Sequence, residues 1–269
     1  VKTPNTQPEQ PPTTALPLHG LRVLVPRAAG KGDGLAERLR ALGAVPLVRP
    51  LIAHAPPEDL AALDAALACL HAGAYAWLIV TSATTVEALA ARISWPLPPA
   101  LRIAAVGPAT AAACAQLLQR TPDALPARFV GADLPAVLGD LTAVPALLPN
   151  ADIADPALEA ALNEAGAIVE RVVAYRTVPI AAPELREDLA AGIDVLLFTS
   201  GSTVRAFVAA LAPDGLHDAR PCTIACIGPS TAAACRELGL DPALVAAVST
   251  TEGLLEALVA WRQGDGVTG

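Results

Sequence analysis

The stretch AAVGPATAAAC, from Ala104 to Cys114, returns as ACIGPSTAAAC from Ala225 to Cys235. Each copy sets a Gly-Pro-x-Thr turn between an apolar run and an alanine-rich one. The apolar run is strand-sized. Proline is tolerated at the first position of a helix, where its missing N–H has no intrahelical partner to lose. The phrase therefore reads as a strand passing straight into a helix, with Pro108 and Pro229 at the first helical position. Two explanations stay open here: a structural turn copied by duplication, or one half of a site lying between the copies.

Further modules repeat in the same order. LRVLVP, a strand ending near Val25, LAERLRALGA, a helix stopped by Gly43, and AVPLVRPLI, a second strand, open the first copy. ALLP at 146–149, ALEAALNEAGA with its stop glycine Gly166, and IVERVVAYRTV open the second. WLIVTSATTVEAL (77–89) pairs with VLLFTSGSTVRAF (195–207), and LPAVLGDL and TEGLLEAL close the copies as helices. Matching positions, such as Gly43 and Gly166, Ser82 and Ser200, or Gly107 and Gly228, lie 118 to 123 residues apart. Short β-branched runs alternating with helical runs predict an α/β fold. The expectation is two similar domains from an internal duplication, each a parallel sheet flanked by helices on both faces. In such sheets ligands bind beyond the carboxyl ends of the strands. All four Thr-Ser and Gly-Pro turns fall at such an end.

Composition narrows the function classes. Hydrophobic residues make up 54% of the 269 residues and charged residues 16%, yet no apolar run is long enough to span a bilayer. No cationic segment followed by an apolar one opens the chain, so a cytoplasmic protein is expected. The net charge is -8, aromatic residues are 3%, and no basic stripe occurs, which argues against a nucleic-acid partner. Neither GxGxxG nor GxxxxGK[ST] is present, so NAD and ATP lack their usual anchors. The only lysines are Lys2 and Lys31, which leaves little room for a Schiff base. The five cysteines form no CxxC pair, and they read as buried free thiols rather than as a disulfide framework or a metal site. The four histidines show no metal-ligand spacing. Residues 1–20, beginning VKTPNTQPEQPPTTALPLH, are proline-rich and polar and read as a disordered tail.

The turns themselves carry chemistry. Ser82 and Ser200 are placed to cap the helices that follow them, each hydroxyl accepting a backbone N–H. The first N–H groups of those helices, at Ala83 and Thr84 and at Gly201 and Ser202, then face outward with the positive end of the helix dipole. Carboxylates and phosphates dock on such ends. Gly201 would let a ligand approach the backbone. Gly107 and Gly228 would permit a sharp exit from the strand, and Thr110, Ser230 and Thr231 would present hydroxyls and N–H groups in the first turn. As isolated turns these are only caps; four of them at matching places point to a shared role. Tyr175, one of two tyrosines, lies late in IVERVVAYRTV, where sheet packing is the competing role. Arg27, directly after the first strand, is placed to meet a carboxylate, and its counterpart is Asn150.

The ordered set VTSATTV, VGPATA, VVAYRTV, FTSGSTV, IGPSTA and STTEGLLEAL resembles the uroporphyrinogen-III synthases, the cyclases of tetrapyrrole biosynthesis, over about residues 21–262. The residues alone would give two sequential halves. The resemblance implies instead one domain of 21–51 plus 179–269 and another of 55–175, joined through 52–54 and 176–178. It also implies a cofactor-free and metal-free reaction. Hydroxymethylbilane, a linear tetrapyrrole polycarboxylate, loses its terminal hydroxyl to give an azafulvene. This attacks the substituted carbon of ring D, and the spiro intermediate fragments and recloses with ring D inverted. The substrate closes alone to the uninverted isomer, so the protein mainly holds one conformation. By family match Tyr175 assists departure of the hydroxyl, while Arg27 and the four turns hold carboxylates. The implied protein is a monomer that meets the preceding pathway enzyme transiently. Where the family often has a Gly-Asn-x-x-Arg-like stretch, this chain has Ala151 for the glycine and Asp155 for the arginine. An Asp155 facing the substrate would repel carboxylates. The competing readings are a two-lobed, non-catalytic binder of an organic polyanion, a homologue of low activity, and a domain whose turns are only caps.

Overall fold

Leu24, Leu196 and Phe198 belong to one buried cluster, while Val23, Val195 and Leu197, their immediate neighbours in the chain, belong to another. Leu78 and Val80 separate from Trp77 and Ile79 in the same way. Successive residues of a strand point to opposite faces. Uninterrupted apolar strands such as WLIV and VLLF are therefore stable only where helices cover the sheet on both sides.

A computed structural model describes residues 16–30, 33–126, 131–212 and 222–264. The elements are β1 (Arg22–Ala28), α1 (Asp33–Ala41), β2 (Val45–Ala55), α2 (Ala61–His71), β3 (Trp77–Val80), α3 (Ala83–Ala90), β4 (Arg102–Ala105) and α4 (Pro108–Leu117). They continue with a 3-10 turn at Gly131–Asp133, α5 (Leu134–Leu138), β5 (Pro145–Ala151), α6 (Ala157–Glu164), β6 (Ile168–Pro179) and α7 (Leu185–Ala190). The last are β7 (Val195–Phe198), α8 (Gly201–Leu211), β8 (Thr223–Cys226), α9 (Pro229–Glu237), β9 (Leu244–Val245) and α10 (Thr251–Gln263). Among the described residues no helix is long and apolar enough to cross a membrane.

The strands form a mixed, mostly parallel sheet in the order β4-β3-β5-β6-β2-β1-β7-β8-β9. Among the described residues only β2 and β6 pair antiparallel, with Ile52–Ala55 against Arg176–Pro179. Outward from that pair the sequence runs β6-β5-β3-β4 on one side and β2-β1-β7-β8-β9 on the other. Two buried clusters draw on residues between Leu63 and Val172, and two draw on residues up to Leu51 and from Leu185 onward. In one of the latter, Phe198 and Phe207 meet edge to face at 5.3 Å, fixing α8 on β7.

Gly43 and Gly166 end α1 and α6 at φ +93° and +94°, a left-handed backbone that favours glycine. The bonds behind them match: Ala44 N donates to Leu39 O and Ala167 N to Leu162 O, both at 3.0 Å.

Three expectations need correction. The tail was drawn too long, because Leu18 is fully buried and its N–H donates to Leu42 O at 2.9 Å. Residues 16–20 thus close over the end of α1, while residues 1–15 lie outside the described residues. β1 continues past Val25 to Ala28, because its ladder with β2 persists through Arg27 opposite Pro50. Arg27 is therefore inside the strand. Cys69 is exposed on α2, whereas Cys114, Cys222, Cys226 and Cys235 are buried.

Candidate functional site

The carboxyl ends of β3, β4, β7 and β8 each lead within two residues into a helix. Ser82 adopts an extended backbone and its Oγ accepts Thr85 N at 3.0 Å. Ser200 repeats this with Thr203 N at 3.3 Å, and its Oγ also meets Ser202 Oγ at 2.9 Å. Pro108 and Pro229 open α4 and α9 behind Gly107 and Gly228. These local readings hold because caps and helix-starting prolines are fixed by nearest neighbours.

The glycines and threonines differ from expectation. Gly107 (φ -142°) and Gly228 (φ -177°) are extended, a conformation open to any residue, so neither is needed for the turn. A Cβ at Gly107 would meet nothing within 4 Å, whereas one at Gly228 would lie 2.3 Å from Ser249 Oγ. A Cβ at Gly201 would come within 3.2 Å of Ala234 Cβ, so Gly201 serves the packing of α8 on α9. Thr110 and Thr231 turn inward and are 4% and 2% exposed. What α4 and α9 offer to solvent is their first-turn backbone, with Ala109 and Ser230 exposed beside it.

Tyr175 lies in β6 next to a register shift, where Asn150 pairs with Val173 and Ala151 with Tyr175. Its hydroxyl is 3.4 Å from Ser82 Oγ. Its ring meets that of His54 edge-on, with centroids 5.0 Å apart and planes at 68°. Tyr175 also lines a cavity of about 320 Å³ with His54, Leu60, Thr84 and Glu87. Burial raises the phenol pKa; the Ser82 hydrogen bond opposes this, and the charges of Asp152 and Glu87 add to the rise. Tyr175 is therefore a protonated donor at neutral pH.

A second cavity, of about 430 Å³, is lined by Thr81 and Val106 to Thr110. Ile227 and Ser249 to Glu252 line it as well. Thr250 caps α10, its hydroxyl accepting Gly253 N at 3.1 Å. Sequence reasoning did not single out Ser249, Thr250 and Thr251. The signal was present, since STTEGLLEAL carries the hydroxyl-then-acid signature of a helix N-terminus. Ser82, Ala83, Ser200, Gly201, Ser202, Gly228, Ser230 and Thr231 line neither of these two cavities.

Arg27 stands beside the end of β7, its Nη1 donating to Thr199 Oγ1 at 2.6 Å. Its Nε is buried without a partner, and burial lowers its pKa. The expected carboxylate partner is not supplied by the described residues. Asp155 is exposed, and its Oδ1 accepts Ala157 N at 2.8 Å, so it serves the start of α6. Asn150 is 4% exposed and accepts Arg171 Nε at 3.2 Å, and Arg171 also donates to Ala154 O at 2.9 Å. This ties down the turn between β5 and α6.

A sequence model of uroporphyrinogen-III synthase (HemD) matches residues 33–256. The chain is 33% identical over 264 residues to uroporphyrinogen-III synthase of Synechococcus elongatus, spanning 92% of this chain and 97% of that protein. It is 28% identical over 259 residues to the porphyrin biosynthesis protein HemD of Ruminiclostridium josui, spanning 90% of this chain and 49% of that one. A mutant uroporphyrinogen III synthase of Thermus thermophilus has a similar structure, with a TM-score of 0.62 at 23% identity over 91% of this chain and 100% of that one. Uroporphyrinogen-III synthetase of Helicobacter pylori follows with 0.54 at 18%, over 90% and 100%. At these identities the two structures speak to the fold alone. The matched length and the identity to the Synechococcus protein together show that the chain belongs to the uroporphyrinogen-III synthase family.

Proposed function

We propose that this protein closes hydroxymethylbilane to uroporphyrinogen III, with inversion of ring D and loss of water. Family membership supports the reading, and one observation carries it at the level of residues. The α4 turn Gly107 to Thr110 and the hydroxyl run Ser249 to Thr251 line the same cavity, although more than 130 residues of chain lie between them. Helix N-termini and hydroxyls bind carboxylates without net positive charge, which suits an acidic protein handling a polyanion. Arg27, a cation with an unpartnered Nε, is the one charged anchor in the set. Tyr175, held protonated next to the α3 N-terminus, is placed to give a hydrogen bond or proton to the departing hydroxyl.

The same reading divides the chain into units of 21–51 plus 179–269 and 55–175, related by duplication. The separate buried clusters and the antiparallel pairing of β2 with β6 support it. It makes the protein a cytoplasmic monomer. Because the substrate closes spontaneously in water, transient contact with the preceding enzyme would shorten its exposure. Asp155 accepts the Ala157 N–H and lines neither cavity, which favours an active enzyme over a low-activity homologue.

The test is incubation of the protein with freshly made hydroxymethylbilane, followed by oxidation and separation of the isomers. The type III isomer is expected to dominate. Product consisting only of the type I isomer would leave the polyanion-binding reading in its place.

A further inference from the structure

Tyr175 is held from two sides. Its hydroxyl lies 3.4 Å from Ser82 Oγ, and its ring meets His54 edge-on at 5.0 Å and 68°. The second contact follows from strand register. His54 in β2 pairs with Thr177 in β6, so Tyr175 is its diagonal neighbour, two residues along the same strand and on the same face. Diagonal pairs across antiparallel strands are within reach of aromatic side chains. Edge-to-face contacts are directional, so this one favours a particular tilt of the phenol ring. Without it the ring has somewhere to go, because it forms a wall of a cavity of about 320 Å³.

We propose that His54 is a positioning residue: its ring fixes the tilt of Tyr175 and so aims the phenol at the space beside Ser82 and the α3 N-terminus. The inference rests on the synthase reading above. Proton donation needs direction as well as distance, and small misplacements are costly in rate. His54 touches no reacting atom in this account. It acts through Tyr175.

The experiment compares His54→Ala and His54→Phe, each also in a Tyr175→Phe background, with freshly made hydroxymethylbilane as substrate. kcat and KM are read beside the ring resonances of 13C-labelled tyrosine. Only Tyr75 and Tyr175 contribute such signals, and Tyr175→Phe assigns them by loss of one. His54→Ala should lower kcat on the order of tenfold, leave KM nearly unchanged and shift the Tyr175 signal. His54→Phe, which keeps a ring, should restore most of the rate. In the Tyr175→Phe background His54→Ala should cost nothing further.

An unchanged kcat in His54→Ala overturns the proposal. So does a loss that His54→Phe fails to rescue, or an equal loss without the Tyr175 hydroxyl. Should His54→Ala not fold, His54→Gln takes its place, with bulk and polarity but no aromatic ring. Wild-type protein yielding only the type I isomer overturns the synthase reading, and the positioning role with it. An unmoved Tyr175 signal in an active enzyme overturns the ring contact alone, so the two failures are distinguishable.

Discussion

The Ser82 hydroxyl and the Tyr175 phenol lie 3.4 Å apart, although 93 residues separate them in the chain. Their strands are not neighbours, since β5 runs between β3 and β6. The contact exists because α3, leaving β3, lies against β6. It joins a helix N-terminus, which stabilises negative charge, to a proton donor. A hydroxyl departing from carbon can use such a pair, because the donor's proton lets it leave as water and the helix end stabilises negative charge that builds up before the proton arrives.

Tyr175→Phe removes the donor and little else. One hydrogen bond at long distance is worth no more than about 1 kcal/mol of stability. The fold should survive with its melting temperature lowered by only a few degrees. Turnover to the type III isomer should fall by about 100-fold or more, the usual scale for a positioned proton donor. Unchanged turnover would remove Tyr175 from the mechanism.

Gly107→Ala and Gly228→Ala separate an open turn from a sealed one. The new methyl at Gly107 meets nothing within 4 Å and projects beside the cavity it lines. Stability should stay within about 0.5 kcal/mol of wild type while KM rises, because the methyl stands where a carboxylate would approach the backbone. At Gly228 the methyl would lie 2.3 Å from Ser249 Oγ and 3.2 Å from Ser249 Cβ. Ser249 must move, at a cost of about 1–2 kcal/mol in a denaturant melt. A Gly107→Ala protein with wild-type KM would retire the α4 turn as a carboxylate site.

These glycines show where sequence reading stops. Ser82, Ser200, Pro108 and Pro229 were legible because a cap or a first-turn proline depends on residues three or four positions away. Gly43 and Gly166 were legible for the same reason, the αL stop being local. What lies opposite is not local. That Ser249 seals Gly228, and that Ser249 to Thr251 line the same cavity as Gly107, depends on where tertiary packing places the loop after β9. That Thr110 and Thr231 are buried was not legible either, because a third helical residue points in or out according to the side on which the sheet lies. Leu18 carries no periodic neighbour to announce it; its N–H meets Leu42 O, and its side chain joins the buried cluster of Leu21, Leu35 and Leu39. For the arginine neither its place inside β1 nor its lack of a partner was legible, because both depend on the neighbouring strands β2 and β7.

Alkaline pH should weaken the fold through both tyrosines. Burial raises the Tyr75 pKa, and its hydrogen bond to Glu170 and the charge of that carboxylate raise it further. Tyr175 is raised as well, foremost by burial. A folded pKa above the unfolded value of about 10 means that the stability from each phenol is complete below that pH. It is lost as pH climbs through the folded values. Denaturant melts should therefore hold steady to about pH 9 and decline beyond pH 10. Tyr75→Phe should flatten that decline; an identical decline in the variant would trace it to other groups.

Arg27 makes the sharpest contrast between stability and function. Its Nη1 reaches Thr199, yet its Nε is buried without a partner and no carboxylate among the described residues pairs with it. Burial lowers its pKa, but a guanidinium remains charged at neutral pH. A half-buried cation without a counter-ion costs stability, and replacement by an apolar chain of similar length relieves that cost. Arg27→Met should therefore melt at or slightly above the wild-type temperature, by up to about 1 kcal/mol. If a substrate carboxylate completes the pair, the same variant should raise KM by about tenfold or more, the worth of a charged hydrogen bond. Arg27→Lys keeps the charge without the planar fork and should fall between. A strongly destabilised Arg27→Met with unchanged KM would make the residue a strut between β1 and the end of β7, held there by its bond to Thr199.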